Sequence, residues 1–506
     1  MREDVLSISK AEPVYPPFWT CKPVEYVKVC PTYGPGFFYI PGTQTCIRVG
    51  GMVEFQGYGI NKYSQGTARV DTGVPTNKSI TDTVNSHVEA RVYLDARDNT
   101  EYGMLRTFAR LNWVRSSGSD DNSGSQPRRG QMFAGSGGNY SNLQTGFYAA
   151  EAFVQLGGFL VGRTTSFANV GNPSLLFTTQ NSSPGRVNEI AYTLSVGNGV
   201  SISAAVEDAA ELRNGVFVSS GVLQNVTVNG TAYTNGGIAN AGGFAGASSL
   251  VVTSPQNQMP DGVLSVDVAQ AWGTGKLAGV IHQVYVPKFI SYAAQGWGAG
   301  GNSFANDNST SALTGWAVQG QTKINLPMIP AGDYVNIYAA YAIGASGRTI
   351  GSVATDTANS ITPSATASGG NASFGMCNAA WGGYDAVGDL ASNTVKLSTS
   401  YSFGGEFKHY FTPTVAAYVG GTYGAIRYGF GHRMSSVVFA AAPHDADMWG
   451  VALGAIWSPV SGLEINPELA YRKADIKADN GVINGTKYGV KSDDQYIGRI
   501  RVARSF

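Results

Sequence analysis

The sequence predicts an all-β fold, a transmembrane antiparallel β-barrel of about 16 strands with its third long loop folded inward. Three observations predict it. Stretch after stretch alternates apolar and polar residues with period two, giving each strand one oily and one wet face. The connections between those stretches alternate strictly between short and long. Charged residues make up 13% of 506 positions, against about 25% in soluble domains, while glycine reaches 66. No apolar run approaches the ~18 residues of a spanning helix, so the chain does not read as a helical membrane protein. Basic and acidic side chains balance at 34 each. That balance argues against a nucleic-acid partner and leaves any selectivity to local charge placement.

Residues 1–23 read as a Pro-rich irregular tail and 24–506 as a single barrel domain. Residues 1–10 lack the apolar core of a secretory signal, which reads as a processed or altered N-terminus. Of Cys21, Cys30, Cys46 and Cys377, no two form a CxxC pair and the spacing suits no zinc site. A Cys30–Cys46 disulfide in an oxidising compartment is expected, worth about 3 kcal/mol on the chain-entropy model. Free buried thiols are the alternative, and Cys21 and Cys377 stay unassigned.

The first strand, 47–59, sets Ile47, Val49, Val53 and Phe55 against Arg48, Met52, Glu54 and Gln56. In 84–97, Val88, Ala90, Val92, Leu94 and Ala96 oppose His87, Glu89, Arg91, Tyr93, Asp95 and Arg97. A third strand sets Leu105, Ala109, Leu111 and Trp113 against Arg106, Arg110 and Asn112. Further strands read at 148–156, 158–163, 189–197, 200–208, 262–273, 276–286, 313–326, 333–345, 396–409, 414–428, 446–457 and 462–474. The last, 496–506, carries Gly498, Ile500, Val502 and Phe506 on one side and Arg499, Arg501, Ala503 and Ser505 on the other. It must pair with the first to leave no edge. Arg504 falls on its apolar side, tolerable near the membrane boundary at about 0–1 kcal/mol. Pro467 removes a ladder bond and implies a bulge or a sheet edge.

Short connections lie at 98–101, around 157, and at 197–199, 273–275, 327–332, 411–413 and 458–461. The long ones, rich in Gly, Ser, Asn and Asp, lie at 61–83, 115–147, 164–188, 209–261, 287–312, 346–395, 429–445 and 475–493. A soluble sandwich has no reason to sort its loops by parity, whereas outer-membrane barrels do. Trp272, Tyr410, Phe411, Trp457 and Phe506 sit beside short turns or the terminus, as one interfacial aromatic girdle would.

Sixteen strands enclose too wide a space for side chains to fill, so the interior is expected to hold water and pass solutes. Segment 164–188 is the candidate constriction. It leaves a strand ending in Gly162 and Arg163 and contains Phe167, Leu175, Leu176 and Phe177, which folding inward would bury against the wall. A surface loop making a hydrophobic protein contact is the alternative.

The stretches PVEYVKVC at 23–30 and YGPGFFYIPGTQTCIRVGG at 33–51 closely resemble the start of the general porins of alphaproteobacterial outer membranes. Gly162, Arg163 and Thr164 with Ser166 and Phe167 match as well, as do Ala271-Trp272-Gly273, His282-Gln283-Val284, Trp457-Ser458-Pro459-Val460 and the terminal Phe506. The resemblance runs from about residue 23 to the end. It implies a multi-pass outer-membrane protein, a homotrimer of sixteen-stranded barrels among lipid and lipopolysaccharide, passing small hydrophilic solutes and ions by passive diffusion. Each barrel would carry its third loop in the lumen as an eyelet, and the outer-membrane assembly machinery would read Phe506.

In that family the inward loop usually brings acidic groups toward a basic wall. Here the only charged side chain of 164–188 is Arg186. The basic wall is present in Arg48, Arg91, Arg106 and Arg110, with Glu54, Glu89, Asp95 and Glu151 as counter-charges on neighbouring strands. With Arg163, Phe167 and Arg186 these are the candidate pore-lining and constriction residues. A weakened transverse field is expected, with a mild anion preference or near-neutral selectivity. The alternative is that each arginine merely pairs with an adjacent carboxylate.

A channel selective for sugars or oligosaccharides is the rival function and would need an aromatic track through the lumen. A barrel enzyme would need a histidine beside a nucleophile or carboxylate. Of His87, His282, His409, His432 and His444, only His444 with Asp445 shows such company in sequence, and no catalytic or metal-binding residue is assigned. Asp120-Asp121-Asn122, Asn306-Asp307-Asn308 and His444-Asp445-Ala446-Asp447 offer oxygens to Ca2+ but read first as solvated loop tips. No cofactor is expected.

Overall fold

The computed structural model describes residues 28–60, 84–117, 143–171, 185–208, 212–219, 226–228, 231–233, 250–253, 259–286, 311–326, 332–350, 384–389, 394–429, 445–476, 481–483, 486–488 and 492–506. Its main sheet is a closed antiparallel barrel. The staves are β1 (Cys46–Ile60), β2 (Val84–Thr100), β3 (Gly103–Ser117), β4 (Leu143–Leu156), β5 (Phe159–Thr165), β6 (Arg186–Gly197), β7 (Val200–Asp208) and β8 (Asp261–Gln270). They continue with β9 (Gly273–Val286), β10 (Ser311–Asn325), β11 (Tyr334–Ile343), β12 (Thr399–Thr412), β13 (Val415–Arg427), β14 (Ala446–Trp457), β15 (Leu463–Ile476) and β16 (Ser492–Ser505). Each stave pairs with the next, and β1 pairs with β16 from Met52↔Ser505 to Ile60↔Ile497, so no strand edge is left open.

Alternation decides which way each side chain points. Val53, Phe55, Val88, Val154, Ile190, Leu264, Ile281, Val419 and Leu453 are exposed on the outer surface, while Glu54, Gln56, Glu89, Asp95, Asn112, Glu207 and Asp261 are buried on the inner side. The barrel is oily outside and polar inside, as the period-two pattern implies. Outward aromatic rings form the expected girdle at the short-turn end through Trp272, Phe411, Trp457 and Phe506. Toward the long-loop end, Trp113 with Phe147 and Trp316 with Tyr341 make a second girdle that the sequence reading missed. Phe506, the residue after β16, and Tyr496 are exposed rings ten positions apart on that strand's outward row. At about 3.3 Å per residue and about 40° of tilt, that row covers about 25 Å, the height of a lipid-facing band.

Four local expectations need correction. Tyr410 does not join the outer girdle: its amide bonds Asp333, and its ring packs inward beside Tyr334 and Tyr418. The turn after β8 falls at Ala271 and Trp272, with Gly273 already paired to Gln270. Residues 396–397 belong not to β12 but to a separate four-stranded sheet of Val216–Ser219, Leu250–Thr253, Ala386–Asp389 and Thr394–Leu397. That sheet joins the fourth and sixth long connections and rests Val216 and Ala386 on Val284 of β9. Pro467 sits inside β15 with its register to β16 intact, opposite Ile500. The ladder to β14 lapses there instead, and the Asn466 side-chain amide donates to the Ala455 carbonyl at 2.6 Å, satisfying the acceptor that proline leaves without a backbone partner.

Cys30 and Cys46 form the expected disulfide. It ties residues 28–45, including the 3-10 turn Pro31–Tyr33, to the short-turn end of β1, with Phe37 buried beside both cysteines. The tail 1–23, Cys21 and Cys377 lie outside the described residues.

Candidate functional site

The inner wall of β1–β3 is where most of the expected residues meet. Asp95 is 1% exposed and accepts from two guanidinium forks, Arg97 at 3.0 and 2.8 Å and Arg106 at 3.0 and 3.1 Å, with Arg48 at 3.7 Å. Arg97 was not among the expected residues, although it stands two positions from Asp95 on the same inward row. Glu89 receives Arg91 at 2.6 Å and the Asn112 amide at 2.5 Å, with Arg110 at 4.0 Å. Glu151 lies 3.4 Å from both Arg110 and Arg186, and Glu54 receives Arg501 of β16 at 2.7 Å. The wall is therefore a lattice of short-range pairs more than a bare basic surface, as the alternative reading held. Arg163 departs from the group: it stands opposite Ala152 and Asn188, on the register of the outward Val161 and Ile190. Ligand atoms of Glu54, His87 and Glu89 lie within 4.8 Å of one another, but Arg501 and Arg91 already balance the two carboxylates.

The start of the third long connection does turn inward. Ser166 donates to Glu207 of β7 at 2.8 Å, the Phe167 amide reaches the same carboxylate, and Lys276 of β9 donates to the Phe167 carbonyl at 3.2 Å. The Gly171 amide donates to Gln321 of β10 at 3.0 Å, and a Cβ on Gly171 would collide with the Tyr338 ring of β11 at 2.4 Å. Ala168, with Phe167 against it, packs on the inward Ala191, Ala205, Val263 and Ala278. Leu175, Leu176 and Phe177 lie outside the described residues.

What holds this limb down comes from another loop. Arg348, in the 3-10 turn Ser346–Arg348 after β11, donates to Ser166 at 2.9 Å, to Glu207 at 2.9 Å and to Asp261 at 2.8 Å. Arg213 of the fourth long connection reaches Asp261 at 2.8 Å and the carbonyls of Met259 and Gln283. His282 of β9 bonds Asp261 at 2.9 Å and faces Asp385 at 3.5 Å, and Asp385 accepts from the backbone amides of Asn214 and Ser346. Three long connections thus converge on two carboxylates of the wall. Sequence reading missed this clasp. Its one local sign was Arg348, a lone charge in a stretch of small neutral residues, whereas Arg213 follows Glu211 and Leu212 and gave none.

The opposite wall carries tyrosines. Tyr334 donates to Glu406 at 2.8 Å, Tyr418 to Glu468, and Arg499 lies 3.3 Å from Glu468. Lys323 stands 4.1 Å over the Tyr334 ring and Lys408 4.6 Å over Tyr410. In the turn before β11, burial pushes the Asp333 carboxyl up, but bonds from His409 at 2.6 Å and the Tyr410 amide outweigh it and hold it below the usual carboxylate range. Of the three stretches that offered oxygens to Ca2+, those at 120–122 and 306–308 lie outside the described residues. In the third, Asp445 accepts from the Tyr428 amide and Asp447 pairs with Arg427.

Against known proteins, the chain is 29% identical to porin Omp2b of Brucella suis over 271 residues, covering 51% of this chain and 57% of that one. It is 30% identical to porin Omp2a of Brucella melitensis over 227 residues, covering 43% and 56%. It thus spans a little over half the length of these curated relatives. Among solved structures, the outer membrane channel DcaP of Acinetobacter baumannii shares the fold, with a TM-score of 0.55 at 12% identity over 92% of this chain and 99% of that one. The family model described as Porin subfamily matches residues 20–499. With a closed barrel, oily outside and polar within, the chain is a multi-pass outer-membrane protein that belongs to the porin family.

Proposed function

We propose that the barrel is a water-filled channel for passive diffusion of small hydrophilic solutes and ions, narrowed by the start of the third long loop and by the basic wall of β1–β3. The observation that carries this is the placement of ionised side chains: Glu54, Glu89, Asp95, Arg91, Arg106 and Arg110 all stand on the inner rows, where only water or counter-charges make them tolerable. Their pairing flattens the transverse field, which supports near-neutral or mildly anionic selectivity. Liposome swelling with neutral sugars of graded size tests the reading. Entry that falls smoothly with solute size supports it, whereas saturable entry of one sugar favours a substrate-selective channel. Among the described residues, Phe108 stacked on Phe153 at 5.3 Å, both on inner rows, and the inward tyrosines of the far wall favour that rival.

A channel, not an enzyme, is the reading the family supports. The protein is proposed to assemble as a homotrimer among lipid and lipopolysaccharide, with Phe506 read by the outer-membrane assembly machinery. Cross-linking of the purified protein in detergent, resolved by mass, checks the trimer.

A further inference from the structure

At the short-turn end of the lumen, cations outnumber the carboxylates that face them. Arg97 and Arg106 each spend two N–H donors on Asp95, and Arg48 is 3.7 Å away without a hydrogen bond, so three guanidiniums share one carboxylate. Asp98, the next carboxylate along β2, is bonded by Thr45. Each guanidinium is also braced by rings. Phe37 of the disulfide-tied segment lies 5.1 Å from Arg48 and 4.9 Å from Arg97, and Phe108 and Phe153 lie 5.1 and 5.3 Å from Arg106. Bracing of this kind holds a cation in place without neutralising it. Arg48 keeps 48% of its side chain exposed, so the site is open to solution.

The far wall repeats the arrangement. Lys323 lies near the short-turn end of β10 and Lys408 is in register with Tyr334, the first residue of β11. Both sit over tyrosine rings, and the carboxylate near them, Glu406, already accepts from Tyr334. Lys276 is different, being paired with Asp267 at 3.3 Å and engaged by the third loop. In a ring of staves running β1 to β16, β10 lies diametrically across from β2. The two cation groups therefore face each other across the water.

We propose that this basic and aromatic collar, Arg48, Arg97 and Arg106 on one wall with Lys323 and Lys408 on the other, is a binding station for small divalent oxyanions entering or leaving by the short-turn mouth. Guanidinium forks match the oxygens of carboxylate, sulfate and phosphate, and two separated cation groups favour two charges over one. The proposal deepens the channel reading and rests on it.

The test uses the purified full-length protein in planar bilayers, with sulfate as probe and inorganic phosphate at pH 8 as a second. Either anion is expected to reduce the potassium chloride current at millimolar concentration, more strongly from the short-turn side. The triple variant Arg48→Gln, Lys323→Gln, Lys408→Gln leaves both forks on Asp95 intact and is expected to weaken the block about tenfold. Arg504→Gln, at the same end but on the outer row, is expected to leave it unchanged. A conducting channel indifferent to both anions, or one blocked equally in the triple variant, overturns the collar alone. A folded, inserted protein that carries no current overturns the channel reading beneath it.

Discussion

Phe506 closes the ring through its own backbone, exchanging hydrogen bonds with Gly51 at 2.9 and 3.0 Å while its ring lies across that glycine. A Cβ on Gly51 would meet the ring at 2.4 Å and the Arg91 carbonyl at 2.7 Å. Gly51→Val is therefore expected to loosen the β1–β16 seam and lower the temperature at which the folded band is lost on a heat-modifiability gel. Asn466→Ala, which strips the Ala455 carbonyl of its substitute donor, is expected to destabilise by about 1–3 kcal/mol in denaturant unfolding. Asp333 gives a pH signature. Its folded carboxyl titrates below the unfolded value of about 3.9, so its stabilisation is complete above that pH and is lost as pH falls through the lower folded value. Asp333→Asn should flatten the pH dependence of thermal unfolding below about pH 4. At this scale, terminal Phe506 and the inward arginines were legible because alternation assigns each a face. Arg163 and Tyr410 were misplaced because each was read from its neighbourhood, a loop entrance and a short turn, although alternation puts Arg163 with the outward Val161 and Tyr410 with the inward Glu406 and Lys408.

Among the elements, the three-loop clasp has the most at stake. Arg348 neutralises Glu207 and Asp261 in a site that water hardly reaches, and removing one partner of such a buried set typically costs about 3–5 kcal/mol. Arg348→Met is expected to free the starts of the third and sixth long connections, raising single-channel conductance and its noise while the barrel stays folded by gel mobility. Unchanged conductance would mean the clasp does not set the aperture. Reducing the Cys30–Cys46 disulfide, or Cys30→Ser with Cys46→Ser, is expected to remove about 3 kcal/mol and release Phe37 from Arg48 and Arg97. The inward turn of the third loop could be anticipated from apolar Phe167, which is half-buried against the wall, but its fastening could not. Ser166 and Arg348 are 182 positions apart, and no local periodicity links them.

For the whole molecule, barrel closure and strand number were readable because lipid and water impose opposite demands on alternate residues, and because turns on one side are short while loops on the other are long. What the pattern leaves open is how the long loops return over the lumen, which depends on pairings among distant charges and on the four-stranded sheet between the fourth and sixth connections. Charge balance across the lumen sets selectivity, so the reversal potential in a salt gradient is expected to lie near zero or shift modestly toward anions. A strong cation preference would contradict the inner-wall assignment. The central claim is that water fills the space these staves enclose, and single-channel recording of the purified protein tests it most directly. Discrete current steps that are ohmic and scale with bulk salt conductivity are expected, and a correctly folded, membrane-inserted barrel that passes no current would contradict it.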